Sequence, residues 1–364
     1  MKIGIYGGSF DPIHKGHIKI AKFVIKNLNL DKLLIIPTQV SPFKNKTKGI
    51  NIEDKINMIN LVLEDKMEIC LFEAKRNNVS YTIDTVKYLK NKYKNDELYL
   101  IIGSDNLPKL NKWKDIDEIA YLTKITVVRR DKNINKLNLK KYNGILLDNP
   151  LFEKYSSTNF KYGLMNLVDE KVLNYIQKKG LYLSQILHNN LSALRAKHSV
   201  ACADFAVLLA KQHKFSAKKA YIAGLMHDIT KELPESNHRE IIQKFQPDLI
   251  NTPKHFLHQL TAGLWLENYY KLQDKEIIDA IKCHTELKQN MNTLDKILFI
   301  ADKICQGRKF PGIQKVRELT LENLEKGFAQ VVKINYDFNV KKGIIMSEKS
   351  IELYKKHMGD LWNK

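Results

Sequence analysis

The stretch GGSFDPIHKGH, residues Gly7–His17, follows a short apolar run and decides the fold of the first half of the chain. The run Lys2–Tyr6 predicts a buried strand, and the apolar spacing within Lys15–Leu28 predicts a helix. The glycines between them let the backbone turn tightly and approach a ligand closely. A loop that leads from a strand into a helix N-terminus offers free backbone N–H groups and the positive end of the helix dipole, so this stretch predicts an anion site.

The composition is that of a globular chain with more than one domain. The chain has 364 residues, 44% of them hydrophobic, and two domains are expected at this length. No apolar run reaches the roughly 18 residues of a membrane span, and the first residues enter a predicted strand, so we expect neither a membrane span nor a secretory signal. Cys70, Cys202, Cys283 and Cys305 are scattered without a CxxC pair, which is typical of a reduced, cytoplasmic compartment.

The formal net charge of +20 raises the question of a nucleic-acid partner. The basic side chains are 53 Lys and 7 Arg, however, and the lysines are spread along the chain. We therefore favour solvated surface lysines, with attraction of polyphosphate or RNA as the alternative. We expect no membrane partner and no specific nucleic-acid partner, and the sequence leaves the oligomeric state open.

Short apolar runs alternate with helical patterns over residues 1–183. This alternation predicts a Rossmann-like α/β domain with a parallel sheet, which binds ligands beyond the carboxyl ends of its strands. The strand pattern then disappears, and residues 184–364 predict an all-α domain. The predicted strands are Lys2–Tyr6, Leu33–Pro37, Met67–Phe72, Glu97–Ile102, Ile125–Val128 and Ile145–Leu147. The predicted helices are Lys15–Leu28, Glu53–Leu63, Tyr81–Tyr93, Ile116–Tyr121, Ser157–Met165 and Glu170–Lys178, then Val200–Lys211, Lys218–Thr230, Arg239–Phe245, Phe256–Tyr270, Lys275–Cys283, Thr293–Ile304 and Lys315–Ile334.

Polar residues after the predicted strands add phosphate chemistry to the first loop. The imidazoles of His14 and His17 can donate hydrogen bonds to a phosphate oxygen as its charge grows, and Lys44 adds a point charge. Gly16 leaves out a side chain that would obstruct the phosphates. The hydroxyls of Ser156–Thr158, at a predicted helix start, offer a second phosphate cradle. These groups suit nucleotidyl transfer, which needs positioning and charge neutralisation rather than a nucleophile, with Mg²⁺ on the triphosphate.

The ordered motifs resemble the HxGH nucleotidyltransferase superfamily. The blocks SYTIDT at Ser80–Thr85 and IGSD at Ile102–Asp105, together with Trp113 and the closing segment Val172–Tyr182, narrow the resemblance to bacterial nicotinate-mononucleotide adenylyltransferases over residues 1–183. The resemblance implies transfer of AMP from ATP to nicotinate mononucleotide, giving deamido-NAD and pyrophosphate. A rival within the superfamily would use another acceptor, such as nicotinamide mononucleotide or phosphopantetheine.

The resemblance also assigns roles to residues. His14, His17 and Lys44 would act at the phosphates, and Trp113 would stack on the pyridine ring. The implied substrate-binding residues are Gly7, Gly8, Ser9, Phe10, Thr82, Thr85, Gly103, Asp105, Trp113, Ser156, Ser157, Thr158 and Lys161. The chain has Phe43 and Lys161 where the family usually has His and Arg, and Lys keeps the charge of Arg but loses its bidentate fork. Arg129 and Arg130 could hold a phosphate, although we favour a solvated loop.

Histidines and aspartates recur in the second half at positions that a helical bundle can bring together. The set is His198, His227-Asp228, His258, His284 and Asp302. Mixed His and Asp ligands suit iron, manganese or a similar divalent metal, which can activate water for attack at phosphorus. The alternative is a helical bundle with scattered histidines.

This set resembles the HD-domain phosphohydrolases, and over residues 185–340 it is similar to the symmetrical diadenosine tetraphosphate hydrolase group. The resemblance implies cleavage of a dinucleoside polyphosphate such as diadenosine tetraphosphate to two ADP, with bound iron or another divalent transition metal. His198, His227, Asp228 and Asp302 would be the metal ligands. Arg195, His258, His284 and Arg308 would hold phosphate, or the two histidines would add a second metal. Cys305 replaces the acid that this group typically carries, and a rival hypothesis is a regulatory, non-catalytic nucleotide-binding HD half.

Overall fold

The structure is a computed structural model that describes residues 1–38, 50–76, 80–130, 134, 136–148 and 155–363. Lys44 and Phe43 lie outside these residues. The chain forms two compact units, Met1–Ile176 and Gln177–Lys364. The boundary after residue 183 that the sequence predicts lies a few residues later and stays a prediction.

The first unit is built on a six-stranded parallel sheet, as the alternating pattern predicts. The strands are β1 (Lys2–Gly8), β2 (Lys32–Pro37), β3 (Met67–Ile69), β4 (Glu97–Gly103), β5 (Lys124–Val128) and β6 (Ile145–Leu147). Their order is β3-β2-β1-β4-β5-β6, so the chain runs outward from β1 in one direction and then from β4 in the other. The carboxyl ends of these two adjacent strands mark the point where the winding direction changes, which is where ligands bind in such sheets.

Helices and 3-10 turns connect the strands of the first unit. The helices are α1 (Lys15–Leu28), α2 (Ile52–Asn60), α3 (Thr82–Lys92), α4 (Ile116–Leu122), α5 (Leu137–Lys141), α6 (Ser157–Lys161) and α7 (Glu170–Lys179), and the 3-10 helices are Ser104–Lys112 and Met165–Leu167. The single helix predicted over Ser157–Met165 is wrong, because α6 stops after one turn. Gly163 follows with a φ of 102°, a left-handed conformation that ends the helix.

The second unit is helical throughout its described residues, as the loss of the strand pattern predicts. Its helices are α8 (Leu183–Asn190), α9 (Ala193–Gln212), α10 (Ala217–Met226), α11 (Glu235–Phe245), α12 (Leu257–Asn268), α13 (Lys275–Lys282), α14 (Thr293–Ile304), α15 (Ile313–Glu322), α16 (Leu324–Lys341) and α17 (Glu348–Met358), with 3-10 turns at Pro247–Leu249, Lys254–Phe256 and Gly359–Asn363. The long helix predicted over Lys315–Ile334 is wrong. It is two helices, because Asn323 caps α16 by accepting the backbone N–H of Lys326 at 3.0 Å.

Close packing of α9 and α10 sets the geometry of the second unit. A Cβ at Gly224 would lie 2.7 Å from Cα of Ala203, so glycine lets the two helix backbones approach. This approach brings His198 on α9 near His227 at the end of α10.

Within the described residues, none of the helices is both long and apolar enough to cross a bilayer.

Candidate active sites

A cavity of about 670 Å³ opens at the carboxyl ends of β1, β2, β4 and β5 in the first unit. It brings together most of the site residues predicted from the sequence. Its lining includes Gly7, Gly8, Ser9, Phe10, His14, Gly16, His17, Thr82, Thr85, Gly103, Asp105, Trp113, Ser156, Ser157 and Thr158. The sheet therefore places motifs from five separate loops around one space.

His14 and His17 form a reciprocal cap at the start of α1. Nδ1 of His14 accepts the backbone N–H of His17 at 3.3 Å, and Nδ1 of His17 accepts the backbone N–H of His14 at 3.1 Å. The two rings stack with centroids 3.5 Å apart. Because both Nδ1 atoms accept, each neutral imidazole carries its proton on Nε2. Nε2–H is therefore the hydrogen-bond donor of each ring.

Burial and the neighbouring Arg130 guanidinium lower the pKa of His14 to about 4. At neutral pH this side chain is thus an uncharged donor. Phe10 is only 1% exposed and packs edge-on against His17, with ring centroids 4.9 Å apart. Phe10 therefore supports the histidine from behind the loop.

Glycines shape the cavity wall in two different ways. No described atom lies within 4 Å of the position that a Cβ would take at Gly7, so this residue leaves open space in the cavity. At Gly16 a Cβ would lie 2.5 Å from Cβ of Tyr155. The sequence-based reason for Gly16, room for phosphates, is therefore incomplete, because the residue is also needed for the packing of Tyr155 onto α1.

The loop before α6 forms one side of the cavity, but its hydroxyls already have partners. Ser156 Oγ accepts the backbone N–H of Asn159 at 2.9 Å, and Ser157 Oγ donates to the carbonyl of Pro12 at 3.0 Å. Ser156 keeps its own O–H for a ligand. The Lys161 ammonium lies 2.6 Å from Asp11 Oδ2 and Lys161 is not among the cavity residues, so its predicted contact with phosphate stays a prediction.

The cavity lining also includes the residues predicted for the nucleotide acceptor. Trp113 is half-buried against the core of the sheet, and Thr82 is the first residue of α3. Thr85 is 2% exposed and its hydroxyl donates to Glu73 Oε1 at 2.7 Å, so its hydroxyl is already committed. Lys114, in the cavity wall, lies over the ring of Tyr81 at 4.8 Å from the centroid.

Arg130 is the cavity residue that sequence reasoning assigned to the wrong environment. Instead of a solvated loop, it lines the cavity and its Nη1 lies 3.5 Å from Asp105 Oδ1. Its backbone N–H donates to Ser104 Oγ at 2.9 Å, which fixes the residue after β5. Sequence reasoning also missed Glu73, a buried carboxylate that accepts the hydroxyls of Thr38 and Thr85. Neither residue belongs to a recognisable motif, but Arg130 lies two residues beyond a predicted strand end, and that position was the available signal.

In the second unit, all six histidine and aspartate side chains of the predicted set converge. His198 comes from α9, His258 from α12 and Asp302 from α14. His227-Asp228 directly follow the end of α10, and His284 lies two residues beyond the end of α13. Nε2 of His227 lies 3.6 Å from Asp228 Oδ2 and 3.7 Å from Asp302 Oδ1. Nε2 of His284 lies 3.6 Å from Asp228 Oδ1. Residues separated by more than 100 positions thus meet in one buried cluster, which we call the HD cluster.

Backbone carbonyls orient two of the imidazoles. Nδ1 of His227 donates to the carbonyl of Gly224 at 2.7 Å, and Nδ1 of His284 donates to that of Ile281 at 2.8 Å. A carbonyl can only accept, so both rings hold their proton on Nδ1 and turn the Nε2 lone pair inward. Outer hydrogen bonds of this kind are those that orient metal-binding histidines.

The protonation preferences of four members of the HD cluster, His227, Asp228, His258 and Asp302, favour cation binding. Burial lowers the pKa of His227 to about 4 and that of His258 to about 3. Burial opposes ionisation of Asp228 and Asp302, but neighbouring histidines and lysines prevail and hold both pKa values below the usual range. Neutral imidazoles and ionised carboxylates are the forms that bind metal. His198 differs: burial opposes its protonation, but hydrogen bonds to Asp302 and Cys305 prevail and raise its pKa to about 9, so a metal must displace a proton there.

Four basic side chains surround the HD cluster. Arg195 Nη1 lies 3.0 Å from Asp228 Oδ2, and Arg308 Nη2 lies 3.2 Å from Asp302 Oδ1, as their predicted proximity to the site requires. Lys303 lies 2.8 Å from Asp302 Oδ2 and Lys231 lies 2.8 Å from His258 Nε2, and sequence reasoning missed both lysines. Their only available signal was closeness in sequence to Asp302 and Asp228.

The donor set fits a divalent metal. His227 Nε2 and Asp228 Oδ1 are buried and have no hydrogen-bond partner, which is costly unless a ligand satisfies them. Two groups of side chains bring their donor atoms within 4.8 Å of one another: His198, His227 and Asp302, and His227, Asp228 and His284. The second unit therefore carries a divalent-metal site of nitrogen and oxygen donors. His258 belongs to neither group, and its Nε2 lies 2.8 Å from the Lys231 ammonium.

Comparisons with known proteins match both halves of the chain. A family model described as Cytidylyltransferase-like matches residues 5–162, and one described as HD domain matches residues 195–306. A "probable nicotinate-nucleotide adenylyltransferase/Ap4A hydrolase" from Mycoplasma genitalium is 33% identical over 351 residues, which cover 94% of this chain and 99% of the relative.

Two further relatives support the same division. A protein of the same name from Mycoplasma pneumoniae is 31% identical over 303 residues, covering 82% of this chain and 87% of the relative. A "probable nicotinate-nucleotide adenylyltransferase" from Aquifex aeolicus is 43% identical over 142 residues, covering 38% of this chain and 84% of the relative. The chain belongs to the family of two-domain nicotinate-nucleotide adenylyltransferase/Ap4A hydrolase proteins, in which a cytidylyltransferase-like domain precedes an HD domain.

Proposed function

We propose that the first unit transfers AMP from ATP to nicotinate mononucleotide and releases pyrophosphate, with Mg²⁺ on the triphosphate. The observation that supports this most is the stacked pair His14 and His17, whose Nδ1 atoms accept backbone N–H groups so that Nε2–H is the donor of each ring, within a cavity that also holds Trp113. Donors of this kind stabilise the charge that develops on a phosphate oxygen in the transition state. Arg130 adds a cation to the same cavity.

The groups of the first unit act by orientation rather than by covalent chemistry. The acceptor phosphate attacks the α-phosphorus of ATP, a new phosphoanhydride bond forms, and the bond to pyrophosphate breaks. Neutral His14 can donate without losing a proton, because its pKa of about 4 keeps it uncharged. The indole of Trp113, which also lines the cavity, offers a flat apolar surface for a pyridine ring.

The acceptor is tested with the purified full-length protein, ATP and Mg²⁺, and three candidate acceptors in parallel. Pyrophosphate release with nicotinate mononucleotide should exceed that with nicotinamide mononucleotide and phosphopantetheine. Chromatography should identify deamido-NAD as the product. Turnover of one of the other acceptors alone would replace the assignment by another member of the HxGH superfamily.

We further propose that the second unit hydrolyses a dinucleoside polyphosphate such as diadenosine tetraphosphate to two ADP. The supporting observation is the convergence of two carboxylates and four histidines within a ring of four cations, Arg195, Lys231, Lys303 and Arg308. When bound, iron or a similar divalent ion would lower the pKa of a water and polarise a phosphoryl group. His198, His227, Asp228 and Asp302 would hold it.

The cations of the second unit suit a chain of several phosphates. Their guanidinium and ammonium groups now pair with Asp228, Asp302 and His258, and they can turn to phosphate oxygens when the carboxylates bind metal. Hydrolysis adds one water, forms a P–O bond to it and breaks a bridging P–O bond. Cleavage at the central bridge gives two ADP.

The products of hydrolysis test this second assignment. Protein supplied with Fe²⁺ or Mn²⁺ should convert diadenosine tetraphosphate to ADP alone, and the appearance of ATP with AMP would contradict symmetrical cleavage. A protein that binds the dinucleotide and the metal but hydrolyses nothing would favour a regulatory HD half.

All four cysteines are free thiols, which supports a cytoplasmic location for both activities.

A further inference from the structure

The thiol of Cys305 contacts the outer nitrogen of one metal-ligand candidate. Its Sγ lies 3.7 Å from Nδ1 of His198, while Nε2 of the same ring lies 3.1 Å from Asp302 Oδ1. Cys305 is fully buried directly after α14. Its backbone N–H donates to Ala301 at 2.9 Å, and its carbonyl accepts from Arg317 Nη2 at 2.8 Å. The thiol is therefore held against the imidazole by a backbone that is anchored on both sides.

His198 differs in this respect from His227 and His284. Those two rings donate Nδ1–H to main-chain carbonyls, at 2.7 Å to Gly224 and 2.8 Å to Ile281. A side-chain substitution cannot remove a carbonyl. For His198, the corresponding contact is made by a side chain, so a single substitution can remove it.

We propose that Cys305 is a positioning residue of the metal centre, whose Sγ accepts Nδ1–H of His198 and thereby holds the Nε2 lone pair toward a divalent cation. This inference rests on the metal-dependent function proposed for the second unit. With Nδ1 protonated against sulfur, Nε2 is the nitrogen that faces Asp302, another residue of the same three-residue donor group, and that a metal would take from it. Loss of such an outer contact typically weakens metal binding by about 10- to 100-fold.

Cys202 provides a matched control. It lies one turn after His198 on the same helix and is also fully buried. Within the described residues, no hydrogen bond joins its thiol to a residue of the HD cluster. The same substitution at the two cysteines therefore changes similar buried volume but removes a hydrogen bond to His198 at Cys305 alone.

Two substitutions at Cys305 separate hydrogen bonding from packing. Cys305→Val fills the space of the thiol but has no acceptor, whereas Cys305→Ser keeps an acceptor but is smaller. The experiment titrates Co²⁺ into the metal-free full-length protein against a competing chelator and follows the visible absorption of the bound ion. Cys305→Val should weaken Co²⁺ binding by about 10- to 100-fold. Cys305→Ser should weaken it less, and Cys202→Val and Cys202→Ser should stay within about threefold of the unmodified chain.

Three results would overturn the inference while leaving the proposed function in place. They are unchanged Co²⁺ affinity in Cys305→Val, an equal loss in Cys202→Val, and a loss in Cys305→Ser as large as that in Cys305→Val. Thermal unfolding of each metal-free variant shows whether it is folded, and the Cys305→Ser and Cys202→Ser pair serves if a valine variant is not. Failure of the unmodified chain to bind Co²⁺ would instead overturn the metal-dependent function itself.

Discussion

His14 and His17 each use Nδ1 to accept the backbone N–H of the other, so that one nitrogen of each ring caps the helix and Nε2–H is the donor of that ring. His14→Asn keeps an acceptor at the N-cap but removes the Nε2 donor. We expect kcat/KM for adenylyl transfer to fall by about 10²- to 10³-fold, the usual effect of losing one donor to developing charge. Unfolding measurements should show a change within about 0.5 kcal/mol, since Asn is a good N-cap. His14→Ala should add a capping loss of about 1 kcal/mol.

The protonation state of His14 can be observed directly. Burial lowers its pKa to about 4, below the ordinary value of 6.5. Between these two pH values the unfolded chain binds a proton that the folded chain does not, so this residue makes the fold less stable as the pH falls through that window. Nitrogen-15 NMR of the histidine side chains should show His14 in the Nε2–H form down to about pH 4, with the signal assigned by its absence in His14→Asn. A transition near pH 6.5 would contradict the buried, neutral role.

Gly7 and Gly16 should respond differently to a methyl group. Gly7→Ala places a Cβ in open space, so the free energy of unfolding should change little while the KM for ATP rises. Gly16→Ala drives its Cβ to 2.5 Å from Tyr155, so both stability and activity should fall. Chemical unfolding and steady-state kinetics measured on the same preparations distinguish the two effects. An equal loss of stability in both variants would contradict this account of the cavity wall.

Arg130 should matter more than its neighbour Arg129. Arg130 lines the cavity beside Asp105, whereas the Arg129 guanidinium pairs with Asp148. Arg130→Met should lower kcat/KM for adenylyl transfer by about 10- to 100-fold, the range for loss of one charge-assisted hydrogen bond. Arg129→Met is the matched control and should stay within about threefold. Comparable losses in both would point to a general effect of surface charge.

A substitution at one site should remove only the activity of that site. His17→Ala should abolish adenylyl transfer and leave hydrolysis of diadenosine tetraphosphate intact, and Asp228→Ala should do the reverse. A strong chelator followed by excess Mg²⁺ should reproduce the Asp228→Ala pattern, since the second unit uses nitrogen and oxygen donors that suit a transition metal. The two activities are measured on each full-length variant. Loss of both activities in either variant would contradict two independent centres.

The sequence predicted the features that a local pattern marks. It missed contacts between distant residues that no local pattern marks. The strand–loop–helix unit at Gly7–His17 and the meeting of His198 with Asp302 follow from local pattern and from the geometry of sheets and bundles. The ion pair of Lys161 with Asp11 joins residues 150 positions apart and has no local signal. The position of Arg130 in the cavity wall likewise depends on Asp105 and Tyr155, which approach from other loops.

Helix boundaries failed where a single side chain ended an element. Asn323 divides a continuous apolar pattern into α15 and α16, because its side chain caps the second helix. Helix α10 ends at Met226, before the predicted end at Thr230, and His227 there bonds Nδ1 to the carbonyl of Gly224. Periodicity in the sequence records which face is buried, but it does not record these side-chain bonds to the backbone.

Because β1 lies inside the sheet, with a strand on each side, the two sites of the protein are completed in a fixed order during translation. Ile3 pairs with Lys32 on one side and with Leu98 on the other. When the ribosome has released only β1 and β2, the loop with His14 and His17 is present, but β4 and β5, which form the other part of the cavity wall, are not yet made. The nucleotide site therefore forms only after β4 and β5 have emerged, and the metal centre follows last, because Asp302 is made more than 100 residues after His198. A nascent chain thus completes its two centres one after the other.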